Sequence, residues 1–201
     1  MKNKLFKNSL SKLKRNYSRF LSLLVIIAVG TAFFTGINVS SPDINSSTDT
    51  WYDQNSFMDF KLASTMGFTN EDVEAIRNLE GTELVVPSYS MDYISDGRTI
   101  RVHALEININ KPVLIKGRLP VREDECLADS RKYKVGDKII LEEGSSDILK
   151  QKSYEVTGTV DSVLYLFKDY GITSLGNGKI HSYIFIPKEN FSSPYYTEIF
   201  I

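Results

Sequence analysis

The pattern of apolar and polar positions splits the chain into a membrane-like start and a folded remainder. From Phe20 to Val39, twenty residues pass without a charge, and twelve of them are Leu, Ile, Val or Phe. A helix of that length spans about 30 Å, the thickness of a bilayer's hydrocarbon core. Its apolar side chains favour insertion by roughly 4–7 kcal/mol, partly offset by Ser22, Gly30, Thr31, Thr35 and Asn38. Ahead of it, Phe6, Leu10, Leu13, Tyr17 and Phe20 fall on one face of a helix with lysines around the rest. That pattern predicts a basic amphipathic helix over 1–19, a membrane span over 20–40 and a separate domain over 41–201.

Beyond the span the periodicity changes. Ser41–Asn55 reads as a polar, turn-rich connection, with Trp51 and Tyr52 either at the interface or in the first core contacts. Phe57–Ala63 alternates as a half-buried strand does. Thr69 follows as an N-cap, with Glu71 and Asp72 in the first turn and Val73, Ile76 and Leu79 as an apolar stripe. Gly81 ends that helix, and ELVVPSYSMDYIS returns as a strand, closing a β-α-β unit. From Arg98 onward, RTIRVHALEI, VLIKGRLP, ECLA, KIILEE, SYEVTGTVDSVLYL and HSYIFIPKENF predict a β-rich insertion, with GNGK as a hairpin turn before the last. YYTEIFI starts another strand and stops within it, as a truncated domain would. The fold class is α+β: one N-terminal transmembrane helix, then an extracytoplasmic β-α-β unit with a β-rich insertion.

Charge fixes the direction of the span. Lys2, Lys4, Lys7, Lys12, Lys14, Arg15 and Arg19 precede it with no acid among them, so the N-terminus should stay cytoplasmic and the domain should emerge outside the cell membrane. The same residues can meet anionic lipid at the inner surface, a better use of a basic arm beside a span than binding nucleic acid. The remaining 17 basic residues face all 25 acids, a formal charge of −8. A secretory signal shares the basic start, but its apolar stretch is shorter and ends in a small-residue cleavage site absent here. Ala28, Ala32, Gly36 and Ser40 recur every four residues, a small-residue face that suits packing against further spans. The single cysteine, Cys126, rules out an internal disulfide framework and reads as a buried small hydrophobe in a strand.

Candidate chemistry is sparse. His103 and His181 sit alone in strands without ligand neighbours at metal spacing. Glu123, Asp124 and Glu125 read as a solvated loop rather than a carboxylate pair or calcium site. There is no G-x-x-x-x-G-K-[ST], no G-x-S-x-G, and the GNG at 176–178 is too short for a phosphate cradle. No catalytic, cofactor or metal residue is assigned. Gly117 and Pro120 bracket a tight turn, and Gly136 before Asp137 suits a positive φ between strands.

Several stretches together resemble FtsX-like ABC transporter permeases with a MacB-like periplasmic core domain. RNYSRFLSLLVIIAVGTAFFTGI is similar to the family's Arg-rich first helix. KGRLPVREDECLADSRKYKVGDKIIL resembles its Gly-Arg-x-Pro run, acidic residues, short strand and Val-Gly-Asp turn, and YEVTGTVDS and YIFIPKENF its closing strands. The resemblance implies a non-enzymatic permease part without cofactor. It also implies a separate cytoplasmic ABC-type ATPase, further transmembrane helices and a second permease chain as partners. A single-span surface protein with a ligand-binding outer domain is the alternative, and a cell-wall hydrolase with dispersed catalytic residues a third. Placing Arg at both Ile26 and Val29 costs about 5–7 kcal/mol of insertion, enough to offset the span's gain. The native chain should therefore stay in the membrane pellet after alkaline washing, and the I26R/V29R variant should not.

Overall fold

The computed structural model of the protein describes residues 16–142, 144–167 and 169–201, leaving aside the side chains of 40–45. The basic run Lys2–Arg15 and most of the amphipathic pattern lie outside the described residues. The chain divides into two compact units, one ending at Thr50 and the other running from Trp51 to Ile201.

Helix α1 runs Tyr17–Gln54. Its stretch Tyr17–Val39, 23 residues with a mean hydropathy of 2.3, is long and apolar enough to cross a membrane. Every side chain in that stretch is exposed, Phe33 and Phe34 to 70% and 71%. Three of its polar side chains bond back to the helix backbone. Ser22 Oγ donates to Ser18 O (2.9 Å), Thr31 Oγ1 to Ile27 O (2.8 Å) and Asn38 Nδ2 to Phe34 O (2.9 Å). Such back-bonding removes the cost of carrying them into hydrocarbon. The connection expected over Ser41–Asn55 is instead a continuation of α1. Once a helix is nucleated each further residue adds a bond, and Thr50 Oγ1 folds back onto Ser46 O (2.7 Å) rather than competing for a turn.

The second unit holds two sheets. Strand β1 (Lys61–Phe68), helix α2 (Asn70–Arg77) and strand β2 (Val86–Ser88) form the β-α-β unit. β1 and β2 do not touch. Between them lies β10 (Tyr196–Phe200), antiparallel to both, with Leu62 opposite Ile199 and Pro87 opposite Ile199 on the other side. Thr69 caps α2 in a reciprocal box with Asp72, Thr69 N donating to Asp72 Oδ2 (2.8 Å) and Asp72 N to Thr69 Oγ1 (3.2 Å). Asn78 closes the helix before Gly81, so Leu79 lies beyond it and is exposed. Val73 of α2 is buried with Val85 and Ile199 in a small core of their own.

The larger sheet has the order β3-β4-β9-β6-β8-β5, with β7 also paired to β8. Its strands are β3 (Ser90–Ser95), β4 (Arg98–Ala104), β5 (Val113–Gly117), β6 (Glu125–Asp129), β7 (Lys138–Ile140), β8 (Ser153–Asp161) and β9 (Ile180–Ile186). β4 with β9 and β6 with β8 are parallel, and the other pairs antiparallel. Two buried clusters hold it, one around Tyr93, Val102, Cys126, Tyr154 and Ile186, the other around Leu127, Tyr165, Tyr170 and Tyr183.

Two expected strands differ. ELVVPSYSMDYIS is broken at Tyr89, where the chain leaves the small sheet for the large one. The Tyr89 ring is buried against Phe191 (4.7 Å), and its hydroxyl donates to Ser193 O (2.7 Å). The strand expected from Phe57 begins only at Lys61. Phe57 stacks on Tyr52 (4.3 Å), and Met58 N donates to Asn110 Oδ1 (3.1 Å). Ile199, fully buried at the centre of the small sheet, tests this arrangement. Ile199→Ala should cost about 2–5 kcal/mol in urea unfolding, whereas Leu79→Ala should stay within about 0.5 kcal/mol.

Candidate functional site

The motif over 117–125 forms one closed loop around a buried carboxylate. Glu125 opens β6 with 1% of its surface exposed. It receives Arg118 as a two-pronged pair (2.7 Å to each oxygen) and accepts from Val121 N (2.8 Å) and Arg122 N (3.3 Å). The solvated loop expected for Glu123, Asp124 and Glu125 therefore holds for Glu123, exposed, and Asp124, half-exposed, but not for Glu125. Arg118 creates the difference by neutralising the carboxylate as it is buried. Gly117 makes the loop possible: its φ is +85°, and a Cβ there would lie 2.2 Å from Thr157 O. Pro120 lies in the loop just before Val121, the first backbone donor to Glu125. Further on, Gly136 has φ +94°, and Asp137 accepts from Lys134 N (2.8 Å), closing the turn before β7.

A second buried polar group joins the two sheets. Glu198 of β10 is 2% exposed and is ion-paired with Lys61 of β1. Its Oε1 lies 3.6 Å from His103 Nδ1 on β4, and His103 Nε2 is 2.7 Å from the Tyr165 hydroxyl. Burial favours the neutral imidazole and pushes the His103 pKa down despite Glu198. Burial also works against the Glu198 carboxylate, but His103 and Lys61 together hold it below the usual range. His, Glu, Lys and Tyr in such proximity resemble catalytic machinery, but His103, Glu198 and Tyr165 are buried and only Lys61 reaches the surface. The clefts of about 410, 520 and 250 Å³ on this unit are lined by none of the four. The group acts as a polar tie between sheets. Its signal in the sequence was only the single charged residue within the apolar alternation of TEIF.

The remaining candidates are placed as follows. Arg19, Ala28, Ala32 and Gly36 are exposed on α1, and nothing lies within 4 Å of a Cβ added at Gly36. Ser40 belongs to the same helix, but its side chain is outside the described residues, as are Lys2, Lys4, Lys7, Lys12, Lys14 and Arg15. Cys126 is fully buried, and burial pushes its thiol up to about 12, far from a reactive thiolate. His181 lines the smallest of the three clefts. Among the described residues no three His, Cys, Asp or Glu side chains gather as metal ligands would.

No protein-family model matches the chain, and no curated protein sequence matches it. Among solved structures it is similar to the extracellular domain of the noncanonic ABC-type transporter YknZ from Gram-positive bacteria. The TM-score is 0.38 and the identity 16%, over 70% of this chain and 79% of that one. The identity is too low to transfer any residue's role.

Arg118 first, then the Val121 and Arg122 amides, hold the Glu125 carboxyl far below its ordinary 4.5. A folded pKa below the unfolded one gives stabilisation that is full above about pH 4.5 and fades as the pH falls further. The native chain should be more stable than a Glu125→Gln variant at neutral pH, and the gap should narrow below about pH 4.5. A gap independent of pH in acid unfolding curves contradicts the assignment.

Proposed function

We propose that this chain is the first membrane span and the outer domain of an ABC-type permease of the FtsX-like, MacB-like kind, its N-terminus cytoplasmic. On this reading 1–19 lies on the inner leaflet, with Lys2, Lys4, Lys7, Lys12, Lys14, Arg15 and Arg19 against anionic lipid. Residues 20–40 cross the membrane, and 41–201 form the extracytoplasmic core domain. Ala28, Ala32, Gly36 and Ser40 pack against further transmembrane helices, a second permease chain completes the assembly, and a separate cytoplasmic ATPase drives it. The outer domain couples ATP hydrolysis to an event outside the membrane.

One observation carries the membrane part: the apolar stretch Tyr17–Val39 exposes every side chain, while Ser22, Thr31 and Asn38 bond back to the helix. A helix of that length and composition, its backbone bonds closed internally, suits a hydrocarbon surrounding. The permease refinement is supported by the sequence resemblance, whose turn motifs are structural elements. Gly117 to Glu125 is a loop closed on Arg118, and Lys134 to Asp137 is a turn at positive φ. The buried charged groups Glu125, Asp129 and Glu198 tie strands and loops together, which fits a domain that transmits or responds.

The test is purification of the tagged full-length gene product from its own membranes. An ABC-type ATPase should accompany it with nucleotide hydrolysis, and Ala32→Leu with Gly36→Leu should weaken that association severalfold. A chain that purifies as an isolated single span, indifferent to both substitutions, would instead be a surface protein with a partner-binding domain.

A further inference from the structure

The outer unit carries a concentration of positive charge that its overall acidity conceals. Two clefts meet at Tyr133, with volumes of about 520 and 250 Å³. Lys116, Lys132 and Lys134 line the larger; Arg98, Lys132 and Lys138 line the smaller. All five of these cationic side chains are exposed, and among the described residues none has a carboxylate within 4.0 Å.

The neighbouring acids are engaged elsewhere. Glu155 faces Lys138 in the β7–β8 register, but its carboxylate lies 3.3 Å from Arg122. Asp137 accepts from a backbone amide, Asp161 is bonded to the Ser130 hydroxyl, and buried Asp129 is matched by Arg131 and the Tyr170 hydroxyl. Asp96 alone lines the smaller cleft as an acid. Arg131, whose guanidinium also donates to Tyr165 O (3.0 Å), is fixed in the wall and leaves the lysines as the available charges.

We propose that these adjoining clefts bind a phosphate-bearing polyanion, Lys132 contributing to both halves of the site. Clefts lined by one sign of charge focus their field outward and raise the local concentration of counter-ions. Clustered ammonium groups with rotatable donors gain more from a phosphate, which carries up to two charges and three acceptor oxygens, than from a carboxylate with one charge and two oxygens, which favours phosphate over an acidic peptide. Two clefts in tandem call for at least two phosphates on one molecule, from a soluble polymer or from lipid headgroups presented side by side. Ile115, Val135 and the Tyr133 ring give the larger cleft an apolar wall for the linking group. The site stands whether or not the chain works in a permease.

The experiment uses the full chain in nanodiscs of uncharged lipid, titrated calorimetrically with inorganic tripolyphosphate, with phosphatidylglycerol vesicles and with polyglutamate, at low and high salt. Tripolyphosphate should bind, weaken at high salt, and bind Lys132→Glu about tenfold or more weakly. The Lys116→Gln/Lys134→Gln variant, altered only at exposed positions, should lose several-fold. Binding of the vesicles alone, with the same dependence on Lys132, assigns the phosphate to lipid headgroups and upholds the site. Polyglutamate binding as tightly as tripolyphosphate overturns the proposal, as does binding insensitive to both variants or no binding at all.

Discussion

The second unit depends on one placement: β10 lies between β1 and β2. Without it, the β-α-β unit has two parallel strands with a gap between them and no core under α2. With it, Ile199 closes against Val73 and Val85, and Glu198 reaches both Lys61 and His103. Thr197 extends the join, its hydroxyl accepting from Ser90 N (2.7 Å) where β3 begins. The strands from β3 to β9 are therefore an excursion that leaves the small sheet at its edge strand β2 and returns as its central strand β10. Contacts this distant in sequence are slow to form, so the small sheet should assemble after the large one.

The interior chemistry follows the same logic. Buried charges fix chain segments to one another, locally at Glu125 and across longer separations at Asp129 and Glu198, and each has an oppositely charged partner. Glu125 holds the loop over 117–125, Asp129 holds Arg131 and Tyr170, and Glu198 links the two sheets. Matching of this kind costs more in desolvation than apolar packing would, and removing one partner leaves a stranded charge. These groups specify how strands meet rather than adding a reactive centre. Among the described residues, five cations without a carboxylate partner gather on the surface around Tyr133.

Much of this architecture is legible in the sequence, and the exceptions share a cause. The apolar helix, the Thr69 cap, the alternating strands and the GNGK and VGD turns are local signals, and local physics decides them. What periodicity misses is decided by distant residues. β1 starts late because Asn110 and the carbonyl of Ile201 claim the backbone at Met58 to Phe60. The strand through Tyr89 breaks because Ser193 and Phe191 hold that side chain between sheets. Glu125 reads as a surface acid until Arg118 is seen to fold over it. The tie from Glu198 to His103 leaves almost no trace in the sequence, since its members stand on three strands and a short helical turn that only folding brings together.

The account stands on the placement of Tyr17–Val39 within a membrane, with the domain outside. Labelling of intact cells with a membrane-impermeant maleimide measures this directly. Native Cys126 is buried and stays silent, so single added cysteines placed by Ile172→Cys, 84% exposed on the second unit, and by Lys4→Cys report the two sides. The account predicts labelling of the I172C chain in intact cells, labelling of the K4C chain only after permeabilisation, and recovery of both in the membrane fraction at full length. Labelling of K4C in intact cells, or release of a shortened I172C chain into the medium, contradicts it.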